Sequence, residues 1–146
     1  GEFVDGGDLA QWERALSKPT SAVLFESPSN PMLDIVDVKA VCDLAHKAGA
    51  QVVLDNAFAT PILQRPLEFG ADIVVHSATK YIDGQGRALG GAILGSRAFI
   101  IDKLQPITRN TGHPFWAASA ARPALGFTGR GQPTSFINAA SSSPSA

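Results

Sequence analysis

The sequence predicts an α/β layer, a mostly parallel sheet flanked by helices. Apolar runs of five or six residues recur through most of the chain, at 22–26, 51–55, 72–77 and 91–95. Helical spacing fills several of the intervals, and glycine and proline punctuate the junctions. Strands alternating with helices in this way favour a parallel sheet with helical crossovers. The chain has 146 residues, 45% of them apolar and 17% charged, enough to fold around one core rather than stay disordered.

Each element follows from local chemistry. Asp8 is placed to cap a helix running to about Ser17, with Leu9, Trp12 and Leu16 on one face. Ala22 to Glu26 is expected to be a buried strand, and Ser27 to Pro31 a loop, because its two prolines oppose regular structure. Asp34 to Ala48 has helical spacing, with Val38, Val41, Cys42 and Ala45 on one face and Gly49 as the stop. Gln51 to Asp55 is a second buried strand. Pro61 to Phe69 predicts a loop or short helix broken at Pro66 and ended by Gly70. Asp72 to Ser77 is a third strand, Gly91 to Gly95 a fourth, and Arg97 to Leu104 a helix. The link from Lys80 to Gly90 is glycine-rich and short for a helical crossover, which leaves an antiparallel fourth strand open.

The pattern changes after Gly112. Residues 113–146 lose any period of 2 or 3.6, and the end, from Ala139 to Ala146, is alanine, serine and proline. This predicts a divergent, disordered, low-complexity tail.

The bulk numbers exclude several classes. A net charge of −1 and the lack of a basic-aromatic cluster argue against a nucleic-acid partner. No apolar run is long enough to span a bilayer, so no membrane partner is expected. The one cysteine, Cys42, allows no internal disulfide, fits a reducing cytoplasm, and lies in an apolar helical pattern as a buried structural thiol. His46, His76 and His113 are scattered, and no metal site is expected: His46 and His113 read as incidental, His76 as a packed residue.

In open α/β sheets, ligands gather at the carboxyl ends of the strands. Here those ends carry Glu26 with Asn30 beyond it, Asp55, and then Ser77, Thr79 and Lys80. Polar residues also occur there simply because strand ends meet solvent. Yet these residue types are the ones a pyridoxal 5'-phosphate site needs: a lysine amine, an acid for the pyridine nitrogen, and hydroxyls for the phosphate. Ser77 and Thr79 are two positions apart, so in an extended segment both point to one side.

The stretches ESPSNP (Glu26 to Pro31), LDNAFATP (Leu54 to Pro61) and HSATKY (His76 to Tyr81) resemble signatures of the Cys/Met-metabolism (transsulfuration) family of pyridoxal-phosphate enzymes. Asn30, Asp55 and Lys80 stand 25 positions apart in succession, as that family has them. The resemblance runs from Gly1 to about Gly112 and implies part of a fold-type-I large domain in residues 1–112. It implies that Lys80 bonds the cofactor and shuttles protons, Asp55 keeps the pyridine nitrogen protonated, Asn30 hydrogen-bonds the ring oxygen, and Ser77 and Thr79 hold phosphate. Glu26 and Tyr81 support loops or serve the site. Residues 64–95 are most similar to the branch acting on O-succinylhomoserine and sulfide, because Asp83 to Arg87 (DGQGR) stands where other branches carry a Gly-His pair. Arg87 and Arg109 are carboxylate-binding candidates as well as plain surface residues.

The family's glycine-containing phosphate loop, its ring-stacking aromatic and its substrate-carboxylate arginine have no counterpart here. The turn from Asn110-Thr111-Gly112 into His113-Pro114-Phe115-Trp116 predicts a lost reading frame near position 113. The implied assembly is a homodimer or homotetramer, the implied partners a small amino-acid substrate and sulfide. Alternatives are a cystathionine γ-synthase or γ-lyase, a non-catalytic remnant, or a phosphoacceptor domain. The last is disfavoured because no acidic pair follows the first strand.

Overall fold

The computed structural model describes residues 1–87, 89–110 and 136–138. The chain divides into two units, Gly1–Val74 and Val75–Ala146.

The first unit holds α1 (Leu9–Leu16), β1 (Ala22–Glu26), α2 (Val38–Lys47), β2 (Gln51–Asp55), the short α3 (Thr60–Leu63) and a 3-10 turn at Pro66–Phe69. Asp8 caps α1 as expected, accepting from the backbone amides of Ala10 (2.9 Å) and Gln11 (3.3 Å). β1 and β2 run parallel in the register Ala22↔Gln51 through Glu26↔Asp55, so their two terminal acids are neighbours on the ladder. The core beneath them comprises Trp12 and Leu16 of α1, Val23 and Phe25 of β1, Val41, Cys42 and Ala45 of α2, and Val52 and Leu54 of β2. Trp12 meets Phe25 edge to face at 5.7 Å, and its indole N–H donates to the Gly6 carbonyl.

Two burial expectations are corrected. Leu9 is exposed, because α1 presents only Trp12 and Leu16 to the core. β1 is buried on one face only: Leu24 is 72% exposed while Val23 and Phe25 are buried. The alternation is that of a strand covered on a single side.

α2 starts at Val38 rather than Asp34. Its N-cap is Asp37, whose carboxylate accepts from the Ala40 amide at 3.0 Å. Upstream, Ser27 Oγ accepts from the Val36 amide at 3.1 Å and holds this stretch away from helix. The C-terminus closes as the sequence predicts. Gly49 adopts φ +78°, and the Ala50 amide reaches back to the Ala45 carbonyl at 2.9 Å. Gly70 is fixed at φ +105° against the Cys42 side chain, where an added Cβ would come within 3.2 Å of Cys42 Cβ.

His46 is not incidental. Its Nε2 lies 2.9 Å from Asp72 Oδ2, which also accepts from the Val52 amide at 2.7 Å. One carboxylate thus ties α2 to the edge of β2.

Cys42 is fully buried. Burial first, then the nearby charges of Asp72 and Asp43, pushes its thiol from 9.0 to about 11. A thiol-specific disulfide reagent is therefore expected to leave Cys42 untouched in the native protein and to titrate it on unfolding. The native state keeps the proton longer than the unfolded chain does. The protonated thiol's contribution is full below about pH 9 and is lost as pH rises toward about 11. Urea midpoints should fall across that window in the wild type, with a shallower slope in Cys42→Ala.

β3 (Ile73–Ser77) carries the chain into the second unit. There a π-helical stretch kinked at Lys80 (Ala78–Ile82) follows, then β4 (Gly91–Gly95), a π-helical segment (Phe99–Leu104) and α4 (Gln105–Asn110). The helix expected at 97–104 is present and is wider than an α-helix over 99–104. β4 pairs antiparallel with β5 (Phe136–Asn138), Ile93 opposite Ile137. β5 lies in the predicted tail; residues 111–135 and 139–146, with the expected frame change, lie outside the described residues. Among the described residues no helix is long and apolar enough to cross a membrane.

Candidate cofactor and substrate site

The first unit contributes Glu26, Asn30 and Asp55. Each stands at or just past the carboxyl end of a parallel strand. Glu26 Oε2 accepts from the Asn30 amide at 3.0 Å, so the acid ending β1 folds the following loop back over the strand end. Glu26 therefore has the loop-supporting role. The Asn30 side chain is exposed and makes no hydrogen bond among the described residues. Ser29 completes the loop: its amide donates to the Asp34 carbonyl at 2.9 Å, and its Oγ accepts from the Asp34 amide at 3.0 Å.

Asp55 is half-buried. Its Oδ1 accepts from the Ala57 amide at 2.9 Å, a turn that sharply redirects the chain after β2. Oδ2 makes no hydrogen bond among the described residues.

Two residues that sequence reasoning missed hold these loops together. Asn56, fully buried, donates from Nδ2 to the Gln64 carbonyl at 2.9 Å. Gln64 Nε2 in turn donates to Asn56 Oδ1 and to the Ser27 carbonyl, each at 2.9 Å. The loop after β2 is thereby fastened to the loop after β1. The only signal in sequence was an asparagine next to a candidate acid. Asn56→Ala leaves the Gln64 carbonyl and one Nε2 hydrogen of Gln64 without their partners in a partly buried place, so a stability loss of about 1–3 kcal/mol is expected by urea denaturation.

The second unit contributes Ser77, Thr79 and Lys80. The premise that Ser77 and Thr79 share one side of an extended segment does not hold. The strand ends at Ser77, and Ala78–Ile82 is a wide helical stretch kinked at Lys80. Ser77 Oγ makes no hydrogen bond among the described residues, whereas Thr79 Oγ1 accepts from the Gly90 amide at 2.9 Å and lies 3.3 Å from the Gly90 carbonyl. Thr79 thus closes the loop of residues 80–90. Lys80 is exposed, with ψ −113° breaking the helical turn at its own position. Its carbonyl accepts from the Gly84 amide at 2.8 Å, and its ammonium has no ion-pair partner among the described residues. His76 is 2% exposed, as a packed residue should be, and Tyr81 is exposed. The side chain of Arg109, and His113, lie outside the described residues.

These donors suit pyridoxal phosphate. An unpaired primary amine, a carboxylate with one oxygen unengaged, a free amide and a free hydroxyl are the groups its aldehyde, ring nitrogen, ring oxygen and phosphate require. Among the described residues no cluster of His, Cys, Asp or Glu suits a metal ion. A concavity of about 240 Å³ lined by Val36, Asp37, Val38, Lys39, Gln64 and Phe69 takes in none of the expected site residues.

Residues 1–127 match the model of the Cys/Met metabolism PLP-dependent enzymes, past the point near Gly112 where the motif resemblance stops. The chain is 62% identical over 118 residues to an O-succinylhomoserine sulfhydrylase of Mycobacterium tuberculosis, covering 81% of this chain and 29% of that protein. It is 48% identical over 102 residues to an L-methionine gamma-lyase of Pseudomonas putida, covering 70% of this chain and 25% of the lyase. The crystal structure of apo CalE6, a methionine gamma lyase from Micromonospora echinospora, superposes with a TM-score of 0.72 at 39% identity, over 75% of this chain and 30% of that one. The chain therefore spans under a third of the length of these relatives. The fold is that of part of the large domain of such enzymes, whose cofactor is pyridoxal 5'-phosphate, and the chain belongs to the family of Cys/Met metabolism PLP-dependent enzymes.

Proposed function

We propose that the intact protein catalyses γ-replacement on O-succinylhomoserine: sulfide enters, succinate leaves, and homocysteine forms. The observation that carries this reading is the residue set at the strand ends, with Lys80 exposed and unpaired behind β3 and Asp55 offering a free carboxylate oxygen at the end of β2. The 62% identity to a sulfhydrylase supports the choice of substrate.

Bound pyridoxal phosphate supplies an electron sink that stabilises negative charge at the substrate's α carbon. The protein's residues do the rest. Asp55 holds a proton on the pyridine nitrogen, as only a charged acid does well. Asn30 donates its amide to the ring oxygen. Ser77 and Thr79 would hold the phosphate, Thr79 by donating its hydroxyl while Oγ1 still accepts from the Gly90 amide. Lys80 Nζ takes the proton from the substrate's α carbon and returns it later. In the net reaction the Cγ–O bond breaks with succinate leaving as its carboxylate, and a Cγ–S bond forms as hydrosulfide (HS⁻) enters, its S–H becoming the thiol of homocysteine. The protein acts in the cytoplasm as a homodimer or homotetramer, in methionine biosynthesis.

A γ-lyase is the second reading, favoured by the 48% identity to the Pseudomonas putida lyase. A substrate panel on the intact protein separates them. Sulfide-dependent homocysteine formation from O-succinylhomoserine supports the first. Thiol release from methionine without added sulfide supports the second.

A further inference from the structure

We propose that Arg87 reads the terminal carboxylate of the substrate's acyl group and so selects a succinyl over an acetyl ester; the inference rests on the γ-replacement reading above. The segment after Lys80 is pinned at two points. Gly84 N–H bonds the Lys80 carbonyl at 2.8 Å, and Gly90 N–H bonds Thr79 Oγ1 at 2.9 Å. Arg87 sits three residues along the chain from each anchored glycine, and the anchors themselves are Thr79 and Lys80. Three residues span at most about 11 Å, so Arg87 stays close to the lysine whatever the loop does.

The loop is also shaped from within. Gly84 and Gly86 take φ +70° and +65°, a region that favours glycine. Asp83 donates its amide to the Ala78 carbonyl at 2.9 Å. Its carboxylate then grips Arg87 twice: Oδ2 accepts from the Arg87 amide at 2.7 Å, and Oδ1 lies 3.5 Å from Nη2. The Asp83 side chain is only 16% exposed, the Arg87 side chain 66%. Asp83 is a positioning residue that fixes the base of the arginine. The long 3.5 Å contact engages one nitrogen and leaves most of the guanidinium's five N–H donors facing solvent.

A planar, permanently charged fork of this kind binds carboxylates bidentately. An O-succinyl ester carries a carboxylate at the far end of its acyl chain; an O-acetyl ester ends in a methyl group. Arg87 therefore discriminates by charge at the leaving group's end and does not touch the reacting carbons.

The test uses the intact holoenzyme with O-succinylhomoserine and O-acetylhomoserine, each with sulfide, and measures succinate affinity by calorimetry. In Arg87→Gln, KM for the succinyl ester is expected to rise about 10- to 100-fold, the range for losing a charged hydrogen bond. Its kcat and the acetyl-ester parameters should move far less. Succinate affinity should fall by a similar factor, and Arg87→Lys should recover part of both. Equal losses on both esters would make Arg87 a loop scaffold and overturn the inference, as would unchanged KM and succinate affinity. If the wild type turns over neither ester, the γ-replacement reading fails, yet succinate calorimetry still reports whether Arg87 binds a dicarboxylate.

Discussion

Borohydride reduction of the intact protein with pyridoxal phosphate is expected to label Lys80 close to once per chain, and Lys80→Ala is expected to remove both the label and the activity. The expected selectivity rests on position: Lys80 alone among the lysines follows the carboxyl end of a strand, beside Ser77 and Thr79, while Lys18 is held by Glu2 at 2.7 Å, Lys39 by Asp43 at 2.6 Å, and Lys47 and Lys103, exposed like Lys80, lie within helices. An amine outside an ion pair is free to reach and attack an aldehyde, whereas one held beside a carboxylate is occupied. Loss of proton transfer alone accounts for about 10²- to 10⁴-fold in rate, and loss of the covalent tether adds to it. Stability should scarcely change, because the Lys80 side chain makes no hydrogen bond or ion pair among the described residues. Lys80→Arg should fail as fully as Lys80→Ala, since a guanidinium keeps charge but is not a nucleophile near neutral pH. Equal labelling across Lys18, Lys39, Lys47 and Lys103 would remove Lys80 from the role and favour a non-catalytic remnant.

How far the sequence reaches differs by level. Strand positions and the capped start of α1 were legible because they rest on local chemistry: the period of apolar residues, Asp8 before Leu9, Gly49 after Lys47. Which face of an element is covered was not legible, as Leu9 and Leu24 show. Periodicity marks a face but does not say whether another layer packs on it. The start of α2 moved for a related reason. Asp34 and Asp37 are both competent caps by type, and the choice fell to Ser27, nine residues upstream of the amide it accepts from. The candidate site divides the same way. Lys80, Asp55 and Asn30 could be named from residue type at strand ends and from motif spacing. The Asn56–Gln64 clamp and the Asp72 carboxylate shared by His46 and Val52 could not, because each needs folded turns to bring its partners together. The premise that Ser77 and Thr79 lie on one side of an extended segment failed because it assumed a strand running two residues longer than it does.

Asp55 has two jobs, and they can be separated by experiment. Its Oδ1 shapes the turn by accepting from the Ala57 amide; its charge is expected to hold the proton on the cofactor's pyridine nitrogen. Asparagine keeps an oxygen able to accept from Ala57 but loses the charge. Alanine loses both. Asp55→Asn and Asp55→Ala should therefore share a fall in kcat of about 10²- to 10³-fold, the range for removing one preorganised electrostatic partner at a reacting centre. Only Asp55→Ala should also lose stability, by about 1 kcal/mol for the missing hydrogen bond, read from urea midpoints. Asp55→Glu restores the charge on a longer arm and should recover part of kcat. A second readout keeps turn and charge apart: with the pyridine proton unsupported, the absorption band of the bound cofactor should change its pH dependence in the asparagine variant while the urea midpoint stays put. If asparagine matched wild type in kcat and spectrum while alanine lost activity in step with stability, Asp55 would be a turn residue, and the acid facing the pyridine nitrogen would have to be sought elsewhere.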